Sequence, residues 1–375
     1  MAGILHTLEN LLPAGLFASG SGSVIGLDIG SSAIKVVQLK KKGGKVVLET
    51  YGSLSLGPYA GTEAGRGTNL PADKLSAAIE DLLREANVTT RDGAVGIPLS
   101  SSLISLVSMP ALEEAKMAEM VPLEARRYIP VPISEVTLDW WVIPQEESAL
   151  LNNAENKQGH VDVLLVAILN EALQKYQEVT RALKLEKAFL EIELFSSVRS
   201  VLDQGIQPVM VLDFGASSAK IYLVEHGIVR DSHSINKGSQ DITLSISRGM
   251  NVPPARAEEL KRGAGMPATP EEAANIKEAA ALVLDAIFAE ARRIMLLFEK
   301  RSNKTVGKIV VSGGGSAMAG FGDLLKTRFP DTEILWADPF AKTVAPAFLE
   351  KTLKELGPEF SVAVGLALRK LNQFA

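Results

Sequence analysis

Apolar residues along this chain fall into short runs of strand length, separated by glycine and small polar residues, with stretches at helical spacing between them. Residues 24–29 make the first run, Gly30-Ser31-Ser32 interrupts it, and 33–39 make the second. Positions 40–45 hold Gly43-Gly44 at their centre, which predicts a hairpin turn into a third strand at 46–51. The glycine-rich stretch 57–71 predicts a surface loop. Leu75, Ala78, Ile79, Leu82 and Leu83 mark one face of a helix over 73–86, and 93–98 reads as a further strand.

The texture changes over 102–187. Strands are expected at 103–109 and 161–168, and a helix carrying Pro122 at 113–128. Along 136–143, Val136, Leu138, Trp140 and Val142 share one face, which puts Trp140 and Trp141 on opposite faces. The polar stretch 144–160 predicts a loop, and Asn170 is the expected cap of a helix ending near Leu183. Together these predict a small α/β subdomain inserted into a larger one, followed by a helix at 193–202.

The opening pattern then returns. A strand at 209–212 runs into Asp213-Phe214-Gly215-Ala216-Ser217-Ser218-Ala219-Lys220, and a hairpin turn follows at His226-Gly227. Its counterpart is Asp28-Ile29-Gly30-Ser31-Ser32-Ala33-Ile34-Lys35. Aligned on aspartate, both read Asp-x-Gly-x-Ser, with Ser32 matching Ser217 and Lys35 matching Lys220. Such a repeat predicts two related halves. Thr269-Pro270-Glu271-Glu272 is a capping box with proline in the first helical position. The helix behind it has Ile276, Ala280, Val283, Ile287, Ile294 and Phe298 on one face. A strand at 308–311 leads into Gly313-Gly314-Gly315, and a final helix covers 361–371.

Each aspartate-glycine turn combines an acid with small residues whose backbone N–H groups can form an anion-binding nest. Two such turns facing one another would grip a polyphosphate from both sides, with Asp28 and Asp213 holding Mg²⁺ through water. This assigns Asp28, Gly30, Ser31, Ser32 and Lys35 to one side, and Asp213, Gly215, Ala216, Ser217 and Ser218 to the other. Gly313, Gly314, Gly315 and Ser316 would let the backbone lie flat against a ring.

Length and composition narrow the classes. At 375 residues the chain exceeds what one core usually organises. It has no cysteine, which excludes disulfides and thiolate metal sites, and its net charge of −5 argues against a nucleic-acid footprint. The four histidines lack metal-ligand spacing. Near the start, Met1, Ile4, Leu5, Leu8, Leu11 and Leu12 recur at helical spacing without a basic lead, so a secretory signal is not expected. Ala-Ser-Gly-Ser-Gly-Ser at 18–23 is a flexible linker by composition.

These turns and the glycine triplet resemble the phosphate 1, phosphate 2 and adenosine motifs of the actin-like ATPase superfamily, in the family's order, over about 24–371. The resemblance implies a fold of duplicated actin-like (ribonuclease H-like) α/β lobes. In it, 193–202 and the helix carrying Gly365 correspond to the two connecting helices. Ala257-Glu258-Glu259-Leu260-Lys261-Arg262 resembles the family's ribose and adenine contact, which assigns Glu258 and Lys261; a solvated helix face remains the other reading of this charged run. Glu193 stands where the superfamily often has an acid near the attacking water; it also fits a carboxylate that complements a helix start.

The insert narrows the resemblance. Its position, and Glu124-Ala125-Arg126-Arg127-Tyr128-Ile129-Pro130-Val131-Pro132-Ile133, resemble the 1C subdomain of the PilM family of type IV pilus assembly proteins, in the branch shared with FtsA. Met109-Pro110 and Leu138-Asp139 fit as well, whereas Pro122 departs from the family's continuous helix. The implied division is 1–23 as amphipathic segment and linker, 24–101 with 188–205 as lobe 1, 102–187 as insert, 206–360 as lobe 2, and 361–375 as the helix returning to lobe 1. The implied function is an ATP- and Mg²⁺-binding adaptor at the inner face of the cytoplasmic membrane. It would dock the cytoplasmic tail of PilN, meet the pilus motor and platform proteins, hydrolyse ATP slowly if at all, and leave homo-oligomerisation open. An FtsA-like cell-division protein and a small-molecule kinase of the same superfamily are the alternatives. Asn10-Leu11-Leu12-Pro13 resembles the start of the PilN tail itself, so the N-terminal segment is a candidate for the same groove.

Overall fold

The two repeated stretches fold into sheets of the same strand order. In the first, β1 (Ser23–Ile29), β2 (Ala33–Lys42) and β3 (Lys45–Ser55) run antiparallel, and β4 (Asp92–Ile97) and β8 (Glu186–Ile192) continue the sheet in parallel on the other side of β1. In the second, β9 (Val209–Phe214), β10 (Ala219–Glu225) and β11 (Ile228–Ile235) run antiparallel, and β12 (Lys308–Ser312) and β13 (Glu333–Trp336) continue in parallel beyond β9. The computed structural model describes residues 22–144, 159–203, 205–263 and 269–373. The N-terminal amphipathic segment with Asn10-Leu11-Leu12-Pro13, most of the 18–23 linker, and 145–158 of the polar loop lie outside the described residues.

The hairpin turns follow from local chemistry. Gly43 and Gly44 adopt φ of 58° and 74°, and His226 and Gly227 adopt 51° and 77°, so both two-residue loops need left-handed backbone. A third sheet, in the order β5 (Ser102–Pro110), β7 (His160–Leu169), β6 (Val136–Val142), forms the insert and is antiparallel throughout. Its central strand is buried on both faces. Val163, Leu165 and Ala167 pack under α2 (Glu114–Ala125), while Leu164, Val166 and Ile168 join the lobe 1 core. Pro122 lies inside α2 without ending it, because Val121 and Ala125 hold both sides of that turn in the core.

Neither tryptophan of β6 is exposed. Trp140 packs with the α2 core, and Trp141 packs against Ile143 and Ile228, where the insert meets β11 of the second lobe. Val142, expected on the Trp140 face, is exposed instead, because it lies at the end of an edge strand.

Some expectations change in three dimensions. Asn170 begins α3 (Asn170–Ala182) rather than capping it, and its amide accepts from the Thr137 hydroxyl and donates to the Ser134 carbonyl. Tyr176, Val179 and Leu183 of that helical segment pack with α1 (Ala72–Glu85) in the lobe 1 core, although the sequence grouped them with the insert. Strand β8 was not apparent, since Glu186, Lys187 and Glu191 break its apolar pattern. Glu191 sits in the core only because Arg199 and Arg369 meet it there.

α4 (Glu193–Val201) is followed in lobe 2 by α5 (Ser239–Met250), α6 (Pro254–Lys261), α7 (Pro270–Ser302) and α8 (Phe321–Arg328). The expected capping box of α7 is formed: the Glu272 N–H donates to the Thr269 hydroxyl at 3.2 Å, and the Thr269 N–H to the Glu272 carboxylate at 3.3 Å. The last helix, α9 (Glu350–Asn372), starts well before the expected position near Ser361 and contains Pro358. Phe340, Leu353 and Phe360 pack against Val24, Val37 and Leu39, so the chain has returned to lobe 1 before residue 360. α9 crosses α4 where Gly365 meets the Ser196 carbonyl, with no room for a side chain. Among the described residues, no helix is long and apolar enough to cross a membrane.

Candidate functional site

The two aspartate turns are built alike. The Gly30 N–H donates to the Ala33 carbonyl at 3.1 Å, and the Gly215 N–H to the Ser218 carbonyl at 3.0 Å. Asp28 stands opposite Lys35 across β1 and β2, and Asp213 opposite Lys220 across β9 and β10. The ion pairs match too, at 3.6 Å for Lys35–Asp28 and 3.4 Å for Lys220–Asp213. Antiparallel pairing causes this: an aspartate and a lysine equally spaced about a tight turn must fall on the same side of neighbouring strands. The turns meet directly across the cleft, where the Ser217 hydroxyl donates to that of Ser31 at 2.9 Å.

The floor of the cleft is more heavily charged than the sequence suggested. Lys220 also reaches Glu193 of α4 at 2.8 Å, which ties lobe 2 to lobe 1. The other Glu193 oxygen accepts the Leu99 N–H at 2.6 Å. Burial opposes the charge on Lys220, but Glu193 and Asp213 outweigh it and hold the ammonium well above the ordinary lysine value. Burial pushes the carboxyls of Asp28 and Glu193 up, against the pull of Lys35 and Lys220 respectively. The Tyr222 hydroxyl lies buried near these three acids, and burial followed by their charge raises its pKa. Lys220 was named by the repeat but not placed in the site; its second partner, Glu193, is far away in sequence.

Glu258 and Lys261 of α6 pair at 2.6 Å. Glu258 also accepts from Thr243 and Arg262, and Lys261 donates to the Ser239 carbonyl at 3.2 Å. Lys261 is buried, so the segment is not simply a solvated face. Gly65 of the 57–71 loop lies against the Glu258 carboxylate. That loop therefore reaches the opposite lobe, which glycine content alone could not reveal.

The three glycines after β12 differ in kind. Gly313 has φ of 86°, and a side chain there would strike Asp213 and the Phe214 backbone. Gly315 is equally closed in by Phe214 and Ser239, whereas an added Cβ at Gly314 would meet the Glu359 side chain, 3.3 Å from a carboxylate oxygen and 3.5 Å from its Cβ. The Gly313 N–H and the Ser312 hydroxyl both donate to the Pro358 carbonyl of α9, at 2.7 and 3.1 Å, and the Ser316 hydroxyl turns back onto the Gly313 carbonyl. Gly313→Ala is expected to lower stability by about 2 kcal/mol or more. Gly314→Val should cost less than about 1 kcal/mol, because only a carboxylate end must move. Denaturant unfolding of the two variants measures this, and equal losses would contradict it.

Two sheets of one topology, joined by crossing helices around paired aspartate turns, define an actin-like fold. The chain belongs to the type IV pilus assembly protein PilM family, whose model matches residues 26–371. It is similar to a solved structure described as a PilM-PilN type IV pilus biogenesis complex, at 28% identity and a TM-score of 0.77, over 94% of this chain and 99% of that one. Two more distant structures share the fold. They are the ethanolamine utilization protein EutJ from Carboxydothermus hydrogenoformans (14% identity, TM-score 0.53, 97% of each chain) and a diol dehydratase-reactivating factor in nucleotide-free form (9% identity, TM-score 0.53, 93% of this chain and 100% of that one). Family membership does not favour the cell-division or kinase alternatives.

Proposed function

We propose that this chain binds ATP with Mg²⁺ between its two aspartate turns and acts as an actin-like adaptor of the pilus assembly platform. In this reading it works at the inner face of the cytoplasmic membrane, docks the cytoplasmic tail of PilN, and meets the pilus motor and platform proteins. The docking partner is suggested by the description of the similar PilM-PilN structure.

The observation that carries the nucleotide reading is the matched pair of turns facing one another, Asp28–Lys35 and Asp213–Lys220, bridged by Ser31 and Ser217. The residues present fit the ligand. Turn amides at Ser31, Ser32, Ala216, Ser217 and Ser218 suit phosphate oxygens, while the Gly30 and Gly215 amides close the turns themselves. Lys35 adds a cation, Glu258 and Lys261 suit a ribose, and Gly313 to Ser316 keep side chains off a flat base. Among the described residues, no three acids or histidines converge into a metal-ligand set. A divalent ion would thus rest on phosphate and on water held by Asp28 and Asp213, where it would offset phosphate charge. Glu193 is the candidate base, but both its oxygens are engaged, by Lys220 and by Leu99, so hydrolysis through it would be slow.

Calorimetry with Mg²⁺-ATP tests this reading. Asp28→Asn and Asp213→Asn should each weaken binding about 10- to 100-fold through lost charge-assisted contacts. Wild-type affinity in both would sink the cleft assignment. Failure of a PilN tail peptide to bind the intact chain would remove that partner.

A further inference from the structure

We propose that residues 57–71 form a clasp between the lobes that sets how fast nucleotide enters and leaves the cleft, an inference that rests on the nucleotide reading above. The segment is a compact loop; Leu56 just before it and Leu70 near its end are both buried in lobe 1. Both its ends hang on the first aspartate turn: the Leu56 N–H donates to the Ser32 carbonyl at 2.9 Å, and the Thr68 N–H to the Ser31 carbonyl at 2.8 Å. Between those anchors the loop crosses to lobe 2. The Gly67 N–H donates to the Gln240 side chain of α5 at 2.9 Å, and Gly65 rests on Glu258 of α6. Loop and helices enclose a depression that Arg66, Gln240, Thr243, Leu244, Pro254 and Glu258 help to line.

The two attachments are unequal, and this makes the loop a clasp. On lobe 1 it has two backbone hydrogen bonds and two buried leucines. On lobe 2, among the described residues, it has the Gly67 hydrogen bond to Gln240 and the close approaches of Gly65 to Glu258 and of Gly67 to Ser217. Separation of the lobes therefore releases the lobe 2 end first and leaves the loop on the turn that carries Ser31. Closure places the loop over the junction of Ser31 with Ser217, between the two turns and the Glu258 side of the cleft. Any ligand passing from solvent to the turns by that side has to displace it.

The absence of cysteine allows a direct test. A Cβ at Gly67 would stand 3.5 Å from the Ser217 Cβ. That is within the span of a disulfide, about 3.5–4.5 Å. The Gln240 amide, 2.8 Å from the same Cβ, is the movable end of a side chain. In the double variant Gly67→Cys with Ser217→Cys, oxidation should slow release of a pre-bound fluorescent ATP analogue at least about tenfold, and reduction should restore it. In the opposite direction, Gln240→Ala should speed release about fivefold, the effect of one lost hydrogen bond. The proposal is overturned if the disulfide does not form, or if oxidised and reduced proteins release the analogue at the same rate. It is equally overturned if Gln240→Ala releases like wild type, which decides the matter should the reduced double variant bind nothing. Wild-type protein that binds no analogue would overturn the nucleotide reading itself, whereas binding with clasp-independent release would overturn the clasp alone.

Discussion

Glu191→Gln should lower the unfolding free energy by about 3–5 kcal/mol at neutral pH. Glu191 is buried in β8 and takes a two-pronged contact from Arg199 of α4 at 2.7 and 2.8 Å, a second guanidinium from Arg369 of α9, and the Ser196 hydroxyl. Burial alone would raise its pKa, but Arg199 and Arg369 overcome that and lower it to about 2. Removing the carboxylate leaves Arg369 buried and under-compensated where two connecting helices and a strand meet. The sign with pH is fixed by the lowered pKa. A carboxyl held below its ordinary value of 4.5 stabilises the fold fully above that value and loses its contribution as pH falls toward 2. The wild type should therefore shed about 3 kcal/mol across that window, and the variant should lack this component. Denaturant titrations at several pH values read both effects. A variant within about 1 kcal/mol of wild type at pH 7 would show that the cluster is solvated rather than buried.

Lys220→Met should cost a similar amount, about 3–5 kcal/mol at neutral pH, with the opposite dependence on pH. The ammonium joins Asp213 of its own lobe to Glu193 of the other, and Asp28 lies within its field. Without it, buried Asp213 lies in the field of both Asp28 and Glu193, and Lys35 remains beside Asp28. An acid whose folded pKa is raised contributes stability at low pH and loses it as pH rises through that value. The variant should thus regain stability as pH is lowered from about 8 to about 5, a range over which Glu191 stays ionised. Adding Glu193→Gln should recover part of the loss at neutral pH, because one buried charge is removed with its partner. Thermal unfolding against pH would show both trends. A variant that loses stability on acidification over that range would overturn the assignment of Lys220 as the cation these acids depend on.

The repeat was legible because it is local. An aspartate and a lysine flanking Gly30 or Gly215 fix their own pairing through the hairpin, so the chain itself carries the register. The capping box at Thr269 and the two-residue turns at Gly43-Gly44 and His226-Gly227 are likewise short-range devices. The helical face of α1 gave burial correctly at Leu75, Ala78, Ile79, Leu82 and Leu83, since helical periodicity decides which side faces the core.

What the sequence concealed depends on partners distant along the chain. Glu191 reads as a polar interruption until Arg199 and Arg369 are placed beside it, and with it β8 was hidden. Lys220 looks like the second copy of Lys35 until Glu193 arrives from the other lobe. The 57–71 loop shows glycine and exposure, but its hydrogen bond to Gln240 joins residues 173 positions apart. Pro358 lies before the expected start of the last helix, yet the helix runs through it, and its carbonyl is taken by Gly313 and Ser312. By itself the sequence determined the duplicated lobes and the two turns, through turn chemistry and strand periodicity acting over a few residues. Only the tertiary structure decided how the turns face, which charges are buried and what bridges the cleft, because a charge enters a core only when packing brings its counter-charge there.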